Sequence, residues 1–190
     1  TMQRYNLHIP HLKRSQVFGP EQYGQKVLDV VNKTFADLYG FSQMTPRQRE
    51  EYVKMYFKFF DMEMLCVIED WNLPNHDVIG VGISIPSLSR ALQKCRKGRL
   101  FPFGWWHILR ALKFHKTDTV DLLLVGILPE YRAKGANALL FNRLIPVYQK
   151  YGFKWGETNV EMETNEKVQG QWAYLENELH KRRRCFKKSL

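Results

Sequence analysis

Residues 125–140 read Val-Gly-Ile-Leu-Pro-Glu-Tyr-Arg-Ala-Lys-Gly-Ala-Asn-Ala-Leu-Leu. An apolar strand runs into a short basic turn containing a glycine, and that turn opens a helix. Successive backbone N–H groups of such a turn, added to the positive end of the helix dipole, suit a pyrophosphate, and Gly135 lets the backbone approach it without a Cβ in the way. The stretch reads as an anion cradle. The plainer alternative is a strand-to-helix turn with Arg132 and Lys134 solvated.

The flanking sequence extends this strand and helix in both directions. Upstream, Val120–Leu128 is an almost continuous apolar run, as expected of a central strand covered on both faces. Gly126 inside it marks a bulge or a close backbone approach. Downstream, Leu139, Leu140, Leu144 and Val147 form a helical stripe; Pro146 should kink or shorten the helix before Gly152 ends it. Trp155 to Glu163 then reads as a strand, Asn165 to Leu179 as a helix and Arg182 to Leu190 as a last strand.

Before the central strand come an extended piece, Gln3 to Ile9, and two helices. The first has Pro20 in its opening turn, Val27, Leu28, Val31, Phe35 and Leu38 at helical spacing, and Gly40 as its stop. The second opens on Thr45, Pro46 and Gln48, a capping box with proline at the first helical position, and its apolar face includes Tyr52, Val53, Tyr56, Phe57 and Phe60. Met62 to Ile68 and Val78 to Ile85 pair as an antiparallel hairpin. The order predicts an α/β fold, a three-layer sandwich with a mixed central sheet and helices on both faces, built as one domain over residues 1–190 with an inserted helical segment at about 87–117.

Composition narrows the function classes. No apolar run approaches the ~20 residues that cross a bilayer, and no charged segment followed by an apolar core opens the chain, so a cytoplasmic protein is expected. Cys66, Cys95 and Cys185 are too few and scattered for a disulfide framework. His8, His11, His76, His107, His115 and His180 lack metal-ligand spacing, and no metal is expected. Residues 88–117 hold eight Lys/Arg and no acid, and residues 181–188 hold six and no acid. These cations outnumber the net charge of +10, so the rest of the chain is net acidic and the basicity is local.

Ile127, Pro129, Tyr131, Arg132 and Gly135 together resemble the cofactor motif of the GNAT superfamily of acyl-CoA-dependent N-acyltransferases, Val-x-Pro-x-Tyr-Arg-x-x-Gly-x-Gly/Ala. The pattern departs at Asn137, which is followed by Ala138. The element order is also that of the superfamily, so the resemblance covers nearly the whole chain. It implies acetyl-CoA or another acyl-CoA as cofactor, with the pyrophosphate on the turn formed by Arg132, Ala133, Lys134, Gly135, Ala136, Asn137 and Ala138. It further implies that the pantetheine arm enters between two splayed parallel strands and pairs with the main chain of Gly126, Ile127 and Leu128.

The same resemblance places the strand at Gly156–Glu163 beside the acceptor cleft. Alternation puts Thr158, Val160 and Met162 on one face and Glu157, Asn159, Glu161 and Glu163 on the other. Glu161 and Glu163 are the candidates for holding an amine or taking its proton, against the alternative of solvated edge acids. Glu163-Thr-Asn165 resembles the Glu-x-Asn element that starts the last helix in some members. Asn165 would then contact the cofactor arm or cap the helix. Seven residues on, where many members carry a tyrosine that protonates the leaving thiolate, stands Trp172, counted with the cofactor-binding residues; an indole cannot act as that acid, so either water or another group protonates the thiolate or catalysis is weak or absent. Tyr174 should point elsewhere on the helix. The acceptor implied is a small-molecule or lipid-like amine.

The insertion interleaves its cations with Phe101, Phe103, Trp105, Trp106 and Phe114. It reads, in that order, as an active-site flap drawing in an anionic acceptor or the phosphates of CoA, as an element that meets an anionic membrane surface, or as a nucleic-acid patch, with a dimer contact as the remaining alternative. A non-catalytic acyl-CoA-binding or membrane-surface module is the alternative to an enzyme.

Overall fold

A computed structural model describes residues 2–173 and 175–188. In chain order the elements are α1 (Met2–Tyr5), β1 (Leu7–His8), α2 (Arg14–Phe18), α3 (Tyr23–Phe35), α4 (Pro46–Tyr56), β2 (Leu65–Asp70), β3 (Asp77–Pro86), α5 (Ser89–Gln93), α6 (Gly104–Phe114), β4 (Thr119–Ile127), α7 (Pro129–Arg132), α8 (Ala136–Lys150), β5 (Trp155–Thr158) and α9 (Glu166–Trp172). The chain falls into two compact units, residues 1–159 and 160–190.

The first unit is built on a five-stranded sheet in the order β1-β2-β3-β4-β5. All neighbours are antiparallel except β4 and β5, which run parallel. Strand alternation divides its core. Leu65, Val67, Val81 and Ile83 meet Val27, Leu28, Val30 and Val31 of α3 and Val53 of α4 on one face. Cys66, Ile68, Ile79 and Ile127 meet Leu139, Leu140 and Leu144 of α8 on the other. Each fully buried aliphatic contributes about 1.5–3 kcal/mol of transfer free energy, so these two apolar seams fix the three layers. Gly82 sits beneath α8, where an added Cβ would lie 3.1 Å from Leu144 and 3.5 Å from Leu140.

Local sequence explains several boundaries. At the head of α4, Gln48 N–H donates to Thr45 Oγ1 at 3.3 Å and Thr45 N–H to Gln48 Oε1 at 2.9 Å, which is the anticipated capping box. Its carbonyl end receives the Arg14 guanidinium, which donates to the carbonyls of Phe57, Lys58 and Phe60. Val53 and Phe57 are buried, while Tyr52 and Tyr56 stay exposed. The hairpin forms as β2 and β3, with Met62–Met64 a 3₁₀ turn instead of strand.

Other expectations are corrected. The opening piece is extended only at Leu7–His8, and an unanticipated short helix, α2, follows it. Pro20 lies outside α3, whose start is set by Gln22 in the left-handed region at φ 53°. Pro146 does not shorten α8, which continues to Lys150 with Val147 and Leu144 buried on its core face. Burial of that face outweighs the one main-chain hydrogen bond that proline removes. Asn159 ends β5 early, as shown below. In the second unit the last helix is only Glu166–Trp172, and residues 175–188 carry no helix or strand. The basic run 181–188 is exposed throughout, with like charges adjacent and Phe186 and Cys185 the only apolar side chains, so it has little to bury.

Gly126 is a close approach. The register shift in β3–β4 lies at Ile83/Ser84, whereas a Cβ on Gly126 would stand 2.6 Å from Thr34 Oγ1, which α3 holds by a 2.8 Å hydrogen bond to Val30 O. Gly126→Ala should therefore cost about 1–3 kcal/mol. Denaturant unfolding of that variant and of Gly126→Ala with Thr34→Ala tests this: the second substitution should restore most of the loss, and equal midpoints for the two variants would refute the contact as the cause.

Candidate functional site

At the end of β4 the chain makes a single helical turn, α7, with Pro129 at its first position, and then reverses through Ala133, Lys134 and Gly135. Gly135 has φ 74° and ψ 22°, a left-handed conformation that costs an L-residue roughly 1–2 kcal/mol. From there α8 starts. The N–H groups of Ala136, Asn137 and Ala138 form its first turn and have no intrahelical carbonyl to bond, so they point out along the positive end of a 15-residue helix.

The turn is pinned at three points. Tyr131, itself buried, donates its hydroxyl to Asp70 Oδ2 at 2.7 Å. The other Asp70 oxygen accepts from the Asn72 main-chain N–H at 2.8 Å and side-chain amide at 2.9 Å. Burial pushes the Tyr131 phenol up to about 12, with Asp70 adding to the effect. Burial also acts to raise Asp70, but the hydrogen bonds from Tyr131 and Asn72 and the charge of Lys134 hold it below its ordinary value. Arg132 folds back, its Nε donating to Ile127 O at 3.0 Å. Lys134 is not simply solvated: its Nζ lies 4.2 Å from the Tyr131 ring centre and 5.6 Å from that of Tyr5.

Beside the turn the parallel ladder gives out. β4 and β5 pair from Thr119↔Trp155 to Leu122↔Thr158 and no further. At the next step the Asn159 side chain takes the place of main chain, its Nδ2 donating to Leu123 O at 2.6 Å. Leu128 N–H donates to Ile79 O at 2.9 Å, so strand alternation turns the main chain of Gly126 toward Val81 and that of Val125 and Ile127 to the opposite edge, where Ile127 O already accepts from Arg132 and its N–H remains on the edge. The main-chain groups expected to be available at Gly126 and Leu128 are used: those of Gly126 pair inside the sheet, while the Leu128 N–H meets Ile79 O and its carbonyl accepts from the Tyr131 N–H of the following turn. Val125 and the Ile127 N–H are the groups turned to that edge.

The second unit arranges its own candidates differently from a strand. Glu161 is half-buried and its Oε1 accepts from Trp172 Nε1 at 2.8 Å. Glu163 is exposed. Met162 O accepts from the Asn165 N–H and from Gln169 Nε2, both at 2.9 Å, so the chain turns here and the alternation that grouped Glu157, Glu161 and Glu163 on one face ends with β5 at Thr158. Asn165 stands at the helix start, but its side chain makes no capping bond; its carbonyl accepts from Val168 and Gln169. Tyr174 lies outside the described residues.

An aminoglycoside acetyltransferase from an uncultured soil metagenomic sample superposes on the chain with a TM-score of 0.55, at 9% identity, over 100% of this chain and 99% of its own. The acetyltransferase AAC(6')-Iy, solved with a CoA-containing bisubstrate analogue, superposes at a TM-score of 0.52 and 12% identity, over 97% and 99%. A Trypanosoma brucei acetyltransferase gives 0.51 at 13% identity, over 96% and 99%. The chain has the GNAT fold. Among curated proteins, a bacterial ceramide synthase from Caulobacter vibrioides is 22% identical over 120 residues, which is 63% of this chain and 30% of that protein. This chain thus spans less than a third of the length of that relative. No protein-family model matches it.

Sequence reading passed over Asp70, Asn72, Asn159 and Val125. Asp70 closes an apolar strand in a Glu-Asp pair followed by Trp71 and Asn72, a hint of a buried carboxylate held by an Asx turn, but nothing in the sequence links it to Tyr131, 61 positions on. Because Asp70 is depressed in the folded protein, its contribution to stability is complete above the ordinary carboxylate value of 3.8 and is lost as pH falls through the lower folded value. Tyr131→Phe should cost about 1–3 kcal/mol at neutral pH and flatten the acid limb of stability against pH. Urea unfolding across the acid range measures both, and an unchanged midpoint and slope would remove the anchor.

Proposed function

We propose that this protein is an acyltransferase that moves an acyl group from acetyl-CoA or another acyl-CoA to an amine, with a lipid-like amine as the acceptor class. The observation that carries the proposal is the pairing of an open parallel-strand edge at Val125 and Ile127 with the left-handed Gly135 turn at the head of α8. Hydrogen-bonding edge, bare backbone and outward N–H groups fit a pantetheine arm followed by a pyrophosphate. Ala133, Ala136 and Ala138 contribute only methyl groups to that turn. The solved acetyltransferases of the same fold support acyl transfer in general, and the curated relative named for ceramide synthesis supports a long-chain amine, since a ceramide is an N-acylated long-chain base.

Bound acyl-CoA would supply a thioester, an acyl carbon already activated toward nitrogen. The chain's own work is then to orient and to move protons. Val125 and Ile127 would align the arm as an added strand. The first-turn N–H groups of α8 and the Lys134 ammonium, seated over Tyr131, would meet the phosphates. The amine's proton would pass to Glu163 or Glu161. As the new C–N bond forms and the C–S bond breaks, the thiolate takes up a proton from water, because Trp172 has only an indole N–H to offer.

Trp172 also favours a second reading, an acyl-CoA-binding module without turnover, since the indole engages Glu161. Thiol release separates the two. With acetyl-CoA and long-chain acyl-CoA presented to sphingoid and polyamine acceptors, an enzyme should give amine-dependent free thiol; saturable acyl-CoA binding in calorimetry with no thiol would select the module. Gly135→Glu, which strains the backbone and places a carboxylate against the phosphates, should lower acyl-CoA affinity at least tenfold, about 1.4 kcal/mol, with the fold intact by circular dichroism. Unchanged affinity would refute the cradle. Glu163→Gln and Glu161→Gln should depress turnover by about 10²-fold with little change in acyl-CoA affinity for whichever is the base, and wild-type rates in both would take these carboxylates out of the chemistry.

A further inference from the structure

Between β3 and β4 the chain departs into α5 and α6, and this excursion holds a pocket the acyl-transfer reading does not use. Arg90 and Lys94 come from α5 and its carboxyl end, His107 and Arg110 from one side of α6, Lys116 from the strand entry, and buried Ser87 closes the floor. Its volume is about 170 Å³, below the roughly 300–1,000 Å³ that drug-sized ligands occupy, and suits a small group. Four full positive charges converge there. Among the described residues, Asp118 takes Arg90 at 2.9 Å from the side. No carboxylate occurs between residues 88 and 117 themselves. Such a concentration of charge on a short segment stays unfavourable until an anion enters.

The same excursion exposes its aromatics. Phe101 and Phe103 are 78% and 71% exposed, and Trp105, Trp106 and Phe114 are each exposed by more than two-fifths. Trp105 and Trp106 touch edge to face at 5.8 Å, and Trp106 reaches Phe114 at 6.4 Å along α6. Leu92 and Leu100 are also exposed. Large rings grouped on a protein surface beside clustered cations match what the boundary of an anionic bilayer offers: phosphates for the cations and a half-apolar layer for indole and phenyl rings. Trp105 donates its ring N–H to Pro102 O at 2.9 Å, so that indole enters an apolar layer with its polar atom already satisfied.

We propose that the α5–α6 excursion is a membrane-docking element in which the pocket formed by Arg90, Lys94, His107, Arg110 and Lys116 receives the phosphate of an anionic lipid headgroup while Trp105, Trp106 and their neighbours enter the interface. The inference is independent of acyl transfer, since neither the Gly135 turn nor Glu161 or Glu163 takes part. The test is sedimentation of the full chain with vesicles of phosphatidylcholine mixed with phosphatidylglycerol, against phosphatidylcholine alone, with tryptophan emission recorded in parallel. The wild type should sediment with the mixed vesicles only, shift its emission to the blue, and release as salt is raised. Lys94→Gln and Arg110→Gln should each weaken binding about five-fold, the value of roughly 1 kcal/mol per surface cation. Trp105→Ser with Trp106→Ser should abolish the blue shift, and circular dichroism controls that these exposed substitutions leave the fold intact. Equal binding to both vesicle types, or wild-type binding by the Lys94→Gln, Arg110→Gln double variant, would overturn the proposal. So would salt-sensitive binding of a single-stranded RNA by a protein that ignores both vesicles.

Discussion

The parallel ladder between β4 and β5 stops after Leu122↔Thr158, and the arrangement of the candidate site follows from that stop. A fully zipped pair would satisfy the main chain of Val125 and Ile127 internally and leave nothing for a ligand to bond. Asn159 makes the stop definite by donating a side-chain N–H to Leu123 O, so the last rung is closed by an amide that cannot propagate the sheet. The strand beyond it is kept in place from its other side, where β3 supplies the antiparallel partner through Gly80↔Ile127. An open edge is thereby held on a rigid element, which is the condition for binding without much loss of backbone entropy.

Parts of this were legible in the sequence because they rest on local rules. The capping box at Thr45 and Gln48, the hairpin of β2 and β3, the apolar run of β4 and the glycine turn before α8 each announce themselves within a short stretch of sequence. The residues that hold the turn were less legible, since Tyr131 meets Asp70 and Lys134 meets Tyr5 only through the fold. Which main-chain groups face the open edge also escaped, because a single hydrogen bond, Leu128 N–H to Ile79 O, sets the phase of the alternation. Alternation misled after Thr158: residues 159–163 keep a strand-like pattern, but a strand needs a neighbour to pair with, and the turn bonded to Met162 O supplies a different use for that main chain.

Charge is distributed by the same division between fold and surface. At the Gly135 turn the cations are tied down, Arg132 to a carbonyl and Lys134 to two rings, and act at fixed positions. In the α5–α6 excursion Lys94, Arg110 and Lys116 are exposed and mutually close, so they act as a field. No helix among the described residues is long and apolar enough to cross a membrane. A ligand at the first arrangement would meet fixed geometry, and one at the second a field that salt screens.

Gly82 lies on β3, well removed in sequence from the turn it serves. Because Leu140 and Leu144 rest directly over it, the height of α8 above the sheet is set by the missing side chain, and the first turn of that helix inherits the setting. A methyl group added there would act as a wedge under a lever, lifting a rigid rod whose far end carries the outward N–H groups. The geometry of the Gly135 turn is therefore tuned from inside the sheet, by a position remote from it in sequence.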